Sequence, residues 1–242
     1  MYDALWGHHG KKIPNIGYCG QAWHHPNFER NLNHYHKRPI MRQAVIFLFL
    51  LFSMHGNAQT QTVTIGSQVW MAKNLESSNF QNNTPITHAQ SLETWQQATE
   101  NGQPAWCWYY DETTGKQYGY LYNIHAITNG NPCPAGFRVP TKEDWETLFS
   151  HVGNDPKALK SLEGWSDGSS TNSSGFNALP GGVKSGYGGF NEYKKAAYFW
   201  TSTPHTDAAY GLYSVPIEWH ASKLALAPSG TKGGLNCRCI KE

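Results

Sequence analysis

Charged residues are scarce in this chain. Asp, Glu, Lys and Arg together make up 15% of its 242 residues, and there are only 4 Met. Disordered chains and coiled coils are rich in charge, so this composition argues against both classes. Aromatic residues reach 14%, and the chain carries 24 Gly and 13 Pro. The sequence is therefore typical of a mostly globular protein with many turns.

Long hydrophobic runs are also missing. The longest apolar stretch, residues 44–52, has nine residues, whereas a transmembrane helix needs about 20. A short apolar run between basic and small residues is typical of a secretory signal peptide. The flanking residues of these two kinds are Lys37, Arg38, Arg42, Gly56 and Ala58. We predict a signal peptide over residues 41–58 and no membrane span in the mature chain.

Residues 1–40 lie upstream of this signal peptide, which begins with its own Met41. The stretch has no apolar periodicity, and it contains six histidines and Cys19. Zinc sites need regularly spaced ligands, whereas these residues are irregularly spaced and lack a second cysteine. We interpret residues 1–40 as an upstream extension that is not part of the fold.

The mature chain, residues 59–242, is weakly acidic. Trimming leaves 13 Lys and Arg against 15 Asp and Glu, so the net charge is 13 − 15 = −2. Because no basic block remains, nucleic acid is not an expected partner. The length is ample for one hydrophobic core. We predict a single α+β domain over residues 59–242.

Motifs of common enzyme classes are missing from the mature chain. It has no His-Glu-x-x-His helix, phosphate loop or dinucleotide fingerprint. Ser166 matches the nucleophile elbow pattern, but a helix is predicted before it and a polar loop after it, the reverse of a true elbow. Asp167 and Asn172 offer oxygen ligands, yet so few carboxylates do not favour a calcium site. We expect no catalytic residue, metal or cofactor.

Two pairs of acidic and imidazole side chains are spaced two residues apart. His205 precedes Asp207, and Glu218 precedes His220. On a strand each pair would share a face, as general acid and base residues do. Pairing alone does not indicate a perturbed site, so we interpret both pairs as surface hydrogen bonds.

Four cysteines remain after trimming. An even number in an exported protein suggests two disulfides, for which three connectivities exist. Cys237 and Cys239 are two residues apart in a predicted terminal strand, so both point to one face and cannot easily bond each other. We favour Cys133 with Cys239 and Cys107 with Cys237. The alternative is a metal or redox site, although Cys-x-Cys without a nearby His is a poor zinc pattern.

The mature chain divides into a helical part and a β part. A hairpin is predicted over residues 62–70, around a Gly-Ser turn. Helices are predicted over residues 89–99, from Thr141 as N-cap, and from residue 154 or 155 with Leu162 on its apolar stripe. After Gly164 the predicted strands cover residues 196–202, 210–217, 224–227 and 235–240.

Aromatic residues alternate in the middle of the chain, which predicts an aromatic hairpin with a turn over residues 111–116. One strand would carry Trp106, Trp108 and Tyr110, and the other Tyr118, Tyr120 and Tyr122. Such rings suit the binding of sugars or protein partners, and they also suit a core. The candidate ligand-binding residues are Trp106, Trp108, Tyr110, Tyr118 and Tyr120.

Six motifs in order resemble the Fibrobacter succinogenes major paralogous domain family. They are Val69–Leu75, Tyr118–Asn123, Cys133–Thr141, Gly175–Gly182, Phe199–Thr203 and Cys239–Lys241. The resemblance covers residues 63–242. It implies an exported bacterial protein and gives no molecular activity.

Residues 136–145 are also similar to a segment of formylglycine-generating enzymes and other C-type-lectin-like domains. This similarity implies a C-type-lectin-like fold with two or three short helices, a small twisted antiparallel sheet and long loops. It also implies an alternative function, a cysteine- and copper-dependent oxidase that would use Cys237 with Cys239 or Cys107. Fold alone does not carry function. Our leading hypothesis is a non-catalytic binding module, secreted or in the cell envelope, with a glycan or cell-surface protein as its partner.

Overall fold

A computed structural model describes residues 60–242. The predicted upstream extension and the predicted signal peptide lie outside the described residues. Within the described part, no helix has the length and apolar character needed to cross a membrane.

Five helices and thirteen strands make up the described residues, which confirms the α+β class. The helices are α1 Leu92–Glu100, α2 Glu112–Gly115, α3 Ile124–Thr128, α4 Lys142–His151 and α5 Pro156–Leu159, with a 3₁₀ turn over Lys116–Tyr118. The first strands are β1 Thr62–Ile65, β2 Gln68–Met71, β3 Thr87–His88, β4 Ala105–Cys107, β5 Leu121–Tyr122 and β6 Phe137–Arg138. The others are β7 Val183–Lys184, β8 Phe190–Asn191, β9 Ala196–Pro204, β10 Leu212–Glu218, β11 Ala227–Pro228, β12 Leu235–Asn236 and β13 Ile240–Lys241.

The strands form three sheets. A four-stranded sheet has the order β1-β2-β13-β6, a seven-stranded sheet has the order β11-β10-β9-β12-β5-β4-β3, and β7 pairs with β8 alone. Most pairs are antiparallel, but β3 with β4 and β12 with β9 are parallel. The sequence led us to expect one small antiparallel sheet. The larger, mixed sheet arises because strands distant in sequence insert beside the aromatic segment.

Polar side chains cap the N-termini of the two longest helices, α1 and α4. Thr141 and Asp144 form a capping box at the start of α4, whose buried stripe is Trp145, Leu148 and Phe149. This confirms the predicted helix start. Helix α1 begins at Leu92, later than predicted, because the Ser91 side chain accepts the backbone N–H of Thr94.

Helix α5 begins after Asp155 with Pro156 in its first turn, as predicted. The expected role of Leu162 is wrong. The helix ends at Leu159, and the Leu162 side chain is 67% exposed. The chain turns because the backbone N–H of Ser161 bonds to the carbonyl of Ala178 instead of continuing the helix.

The end of the chain closes the four-stranded sheet. In β13, Ile240 pairs with Trp70 of the predicted first hairpin on one side and with Arg138 of β6 on the other. The prediction of one continuous strand over residues 235–240 is wrong. Strand β12 belongs to the seven-stranded sheet and β13 to the four-stranded sheet, so residues 237–239 connect two sheets.

Candidate functional site

The aromatic hairpin exists, but its strands are shorter than predicted. In β4 and β5, Trp106 pairs with Tyr122 and Cys107 with Leu121. The connection contains helix α2 and a 3₁₀ turn that ends at Tyr118. Local helical bonding therefore replaces strand pairing outside these pairs. The prediction that Trp106, Trp108 and Tyr110 share one face of a strand is wrong, because β4 ends at Cys107.

Three of the five candidate binding residues are buried. Trp106, Trp108 and Tyr118 are 8%, 9% and 4% exposed. Tyr120 is half-buried, because its ring stacks on that of Trp106 with centroids 3.7 Å apart. Trp106, Trp108 and Tyr118 therefore act mainly as core residues, and only Tyr110 and Tyr120 of the set are available for a surface.

Tyr110 is the exposed member of the set. Its side chain is 68% exposed and its φ is 63°, a left-handed conformation that is unusual for a residue with a side chain. The Gln90 amide holds this backbone. Its Nε2 donates to the carbonyl of Tyr110 at 2.8 Å, and its Oε1 accepts from the backbone N–H of Trp108 at 2.9 Å. Tyr110 is thus presented to solvent on an anchored segment.

Two aromatic residues from far along the chain join Tyr110. The Phe190 ring lies 6.3 Å from that of Tyr110 and 5.0 Å from that of Tyr109. Tyr193 stacks on Tyr109 at 5.4 Å, and its hydroxyl lies 3.4 Å from that of Tyr118. We call the surface formed by Tyr110, Phe190 and Tyr193, supported by Tyr109 and Tyr118, the aromatic platform.

The strand β8 and the turn after it position the second half of the platform. Glu192 and Lys194 have φ of 62° and 60°, so the turn around Tyr193 is tightly bent. The backbone N–H of Lys194 donates to the carbonyl of Pro180 at 3.0 Å. Gly182 has φ +70°, and a Cβ there would collide with the carbonyl oxygen of Asn191 and with the Tyr109 ring. Only glycine allows this close approach.

Polar groups surround the platform. Asn191 and Glu192 are exposed, and the Lys194 ammonium lies 5.4 Å from the centre of the Tyr193 ring. Burial raises the pKa of Tyr109, and the neighbouring Tyr193 and Glu192 raise it further. Burial also raises the pKa of Tyr118, to which its hydrogen bond with Tyr193 adds. Tyr109 and Tyr118 are therefore neutral at physiological pH.

Sequence reasoning missed Phe190 and Tyr193. Their segment reads as a polar turn, and their spacing from Tyr110 gives no periodic pattern. The nearest signal was Gly181-Gly182, which marks a close backbone approach, but it does not say what approaches. The register of distant strands brings these rings together.

The described cysteines form one disulfide. Cys133 bonds to Cys239, as predicted. The second expected bridge is wrong, because Cys107 and Cys237 are free and buried. Cys107 pairs with Leu121, on the face of the sheet opposite Tyr122 and Leu235. Cys237 lies on the same face as Tyr122 and Leu235 and packs in the core cluster that holds Cys133 and Cys239. The sheet therefore separates the thiols of Cys107 and Cys237.

The sulfurs of Cys133, Cys237 and Cys239 lie within 4.8 Å of one another. Because Cys239 is already bonded to Cys133, a copper site of two thiolates at Cys237 and Cys239 would require this bridge to be reduced. Burial raises the pKa of Cys237 to about 12. Burial likewise raises the pKa of Cys107 to about 12. Both thiols are thus protonated at neutral pH and are poor nucleophiles.

The other sequence-selected polar residues lie outside the platform. The half-buried His205 ring accepts the backbone N–H of Asp207, and His220 lies 3.7 Å from Glu218 at the surface. Lys160 reaches both Asp167, at 3.3 Å, and the carbonyl of Trp219. These groups serve local hydrogen bonds and ion pairs.

One comparison with known proteins identifies the family. The family model described as the Fibrobacter succinogenes major domain matches residues 63–241. No curated protein and no solved structure matches the chain. Because the match covers well over half of the sequence, the chain belongs to this family.

Proposed function

We propose that this member of the Fibrobacter succinogenes major domain family is a non-catalytic module that binds a glycan on its aromatic platform. The observation that supports this proposal is the exposure of Tyr110 and Tyr193, 68% and 38%, on rigid backbone beside Phe190. A contiguous group of apolar side chains at the surface often marks an interaction site. No such exposure is needed for the core, which other aromatics already fill.

The chemistry of the platform suits a saccharide more than a flat protein partner. Sugar rings carry C–H bonds on one face and hydroxyls at the edge, so they stack on aromatic faces and bond to surrounding polar groups. The platform offers tyrosine rings with amide, carboxylate and ammonium groups of Asn191, Glu192 and Lys194 beside them. Its backbone is held by Gln90 and Gly182, which limits the entropy lost on binding.

We also propose that the module is exported and has a C-type-lectin-like fold. The Cys133–Cys239 bridge supports export, because such bonds persist in oxidising compartments. The pairing of β13 with β2 supports the fold, since it places both ends of the described domain side by side. Two longer helices, α1 and α4, and long loops between short strands agree with the same layout.

A binding screen tests the function. The purified chain is applied to an array of bacterial and plant glycans and to a panel of cell-surface proteins, and the affinity of the best ligand is measured by calorimetry. Loss of one stacking ring removes about 0.5–1.5 kcal/mol, so Tyr110→Ala and Tyr193→Ala should each weaken binding by about two- to ten-fold.

Tyr210→Ala is the matched control, because Tyr210 is a 42% exposed tyrosine outside the platform, and its ring meets that of His205 edge-to-face. The affinity of the Tyr210→Ala variant for the glycan should equal that of the unchanged chain. The proposal fails if no glycan binds, if only surface proteins bind, or if Tyr210→Ala weakens binding as much as the platform variants.

A further inference from the structure

A cavity of about 260 Å³ lies next to the platform. Its lining includes Lys73, Asn74, Glu76, Lys116, Asn177 and Arg238. This volume is a little below the roughly 300–1,000 Å³ of typical small-molecule pockets. The cavity could therefore hold one small group of a larger ligand.

Arg238 forms the inner part of this lining and is 1% exposed. Its Nε donates to Asn74 Oδ1 at 2.9 Å, and its Nη2 donates to the same oxygen. Its Nη1 donates to the carbonyls of Phe176 and Met71. An arginine has five N–H donors, so among residues 60–242 one N–H of Nη2 is left without an acceptor.

All the acceptors of Arg238 are neutral. Within residues 60–242 no ion pair joins Arg238 to a carboxylate. The guanidinium also packs over the Phe176 ring at 4.6 Å. A buried cation without a counterion is costly. Burial lowers the pKa of Arg238 to about 9, which still leaves it protonated at neutral pH.

The outer lining adds further positive charge. Lys73 and Lys116 are exposed at the cavity, where the only carboxylate in the lining is Glu76. Three cations thus face one anion, and none of the described ion pairs involves Glu76. Burial raises the pKa of Glu76, an effect that Lys73 and Lys116 oppose. The cavity therefore carries an excess of positive charge that a ligand can neutralise.

Two chain segments connect this cavity to the platform. Lys116, Gln117 and Gly119 line the cavity. The ring of Tyr118, which lies between them in the sequence, contacts Tyr193, and its carbonyl accepts Asn74 Nδ2 at 2.8 Å. Residues 177–182 likewise run from the cavity lining to Gly182, which packs against Tyr109. The cavity and the platform are thus formed by the same two chain segments.

We propose that this cavity binds the anionic group of an acidic saccharide whose sugar ring rests on the aromatic platform. The inference rests on the proposed glycan function and adds the charge of the ligand to it. The free N–H of Arg238 would hydrogen-bond an oxygen of the anion, and Lys73 and Lys116 would pair with it. A carboxylate, a sulfate ester or a phosphate ester has this chemistry in common.

The test is a titration of the isotope-labelled chain followed by NMR. The probes are galacturonate, its neutral counterpart galactose, galactose 6-sulfate, galactose 6-phosphate, and inorganic sulfate and phosphate. At least one acidic sugar should bind at least ten times more tightly than galactose, with amide shifts in residues 116–119. The acidic sugar that binds most tightly identifies the anion.

Exposed variants avoid disturbing the core. Lys116→Gln should weaken binding of the acidic sugar about three- to five-fold, and Glu76→Gln should strengthen it about two- to three-fold because a like charge is removed. Lys223→Gln is the matched control, since Lys223 is an exposed lysine outside the cavity lining, and it should change nothing.

Two results would overturn the inference. The first is equal binding of acidic and neutral sugars with no effect of Lys116→Gln. The second is binding of inorganic sulfate or phosphate at least as tight as that of every acidic sugar. Either result can occur while Tyr110→Ala and Tyr193→Ala still weaken the binding of a neutral glycan. Failure of this inference is therefore distinguishable from failure of the proposed function.

Discussion

At the scale of single residues, the alternation of side chains along residues 237–239 decides which groups each residue contacts. Cys237 and Cys239 point to one side, where their sulfurs lie 4.0 Å apart, and Arg238 between them points to the other. The shared side of the cysteines followed from the sequence. The burial of Arg238 did not, because an arginine in a polar-looking terminus is ordinarily exposed.

Replacing single cysteines separates the bridged pair from the free thiols. Cys133→Ala opens a bridge between residues 106 apart and should cost about 4–5 kcal/mol of unfolding free energy. Cys107→Ala removes one buried sulfur and should cost about 1 kcal/mol. Urea unfolding of the oxidised variants measures both. A cost for Cys107→Ala equal to that for Cys133→Ala would show that Cys107 is also bridged.

Gly182→Ala tests how the platform is held. The substitution combines a left-handed φ with a collision against Asn191 and Tyr109, so it should cost more than about 2 kcal/mol and weaken glycan binding. Gly136→Ala is the control, because Gly136 has φ +78° but no atom within 4 Å of an added Cβ. It should cost about 1 kcal/mol and leave binding unchanged. Equal costs in thermal unfolding would contradict the close packing at Gly182.

At the scale of elements, local signals predicted what local bonding decides. The Thr141 cap, the Pro156 start and the turn of the first hairpin depend on neighbouring residues, and all three were predictable. The split of residues 235–240 between two sheets was not, because each half pairs with strands more than 100 residues away. The positions of Phe190 and Tyr193 were also not predictable, because they depend on the pairing of strands that are distant in the sequence.

Helix α4 gives a pH-dependent prediction. Burial opposes ionisation of Asp144, but hydrogen bonds from Arg138 and Thr141 and the charge of Arg138 together lower its pKa. A lowered carboxyl pKa stabilises the fold above the unfolded value near 4, and this contribution is lost as pH falls through the folded pKa. Asp144→Asn should therefore cost about 1 kcal/mol at pH 7 and less at pH 3, which lies below the unfolded value.

Glu146→Gln is the control for this prediction. Glu146 is half-exposed and pairs with Lys142 at 3.7 Å, so its loss should cost under about 0.5 kcal/mol. Urea unfolding at both pH values gives the comparison. A cost for Asp144→Asn that persists unchanged at pH 3 would mean that the carboxylate charge does not contribute.

At the scale of the whole molecule, one bridge and one terminal strand join the parts. The Cys133–Cys239 bond and the pairing of β13 with β2 and β6 tie the last residues to both halves of the described domain. The pattern of helices and strands in the sequence predicted the α+β class, and the cysteine positions predicted the bridge. They did not predict which aromatics remain exposed, because burial depends on the assembled sheets.

Counting thiols tests this organisation in solution. The mature native chain should show no thiol that reacts rapidly, since Cys107 and Cys237 are both 0% exposed. Denaturation without reductant should release two thiols, and reduction should raise the number to four. Two reactive thiols in the native protein, or none after denaturation, would contradict the described arrangement of sulfurs.

The most direct test of the account is to locate the bound glycan by amide shifts in the labelled chain. We predict that the best ligand of the array shifts residues 108–119 and 192–195, which carry platform residues, and that the shifts saturate at one ligand per chain. A second open cavity of about 530 Å³, lined by Ser185, Tyr187 and Lys232 among others, is the natural competitor. Saturable shifts confined to that cavity, with the platform unmoved, would contradict the account.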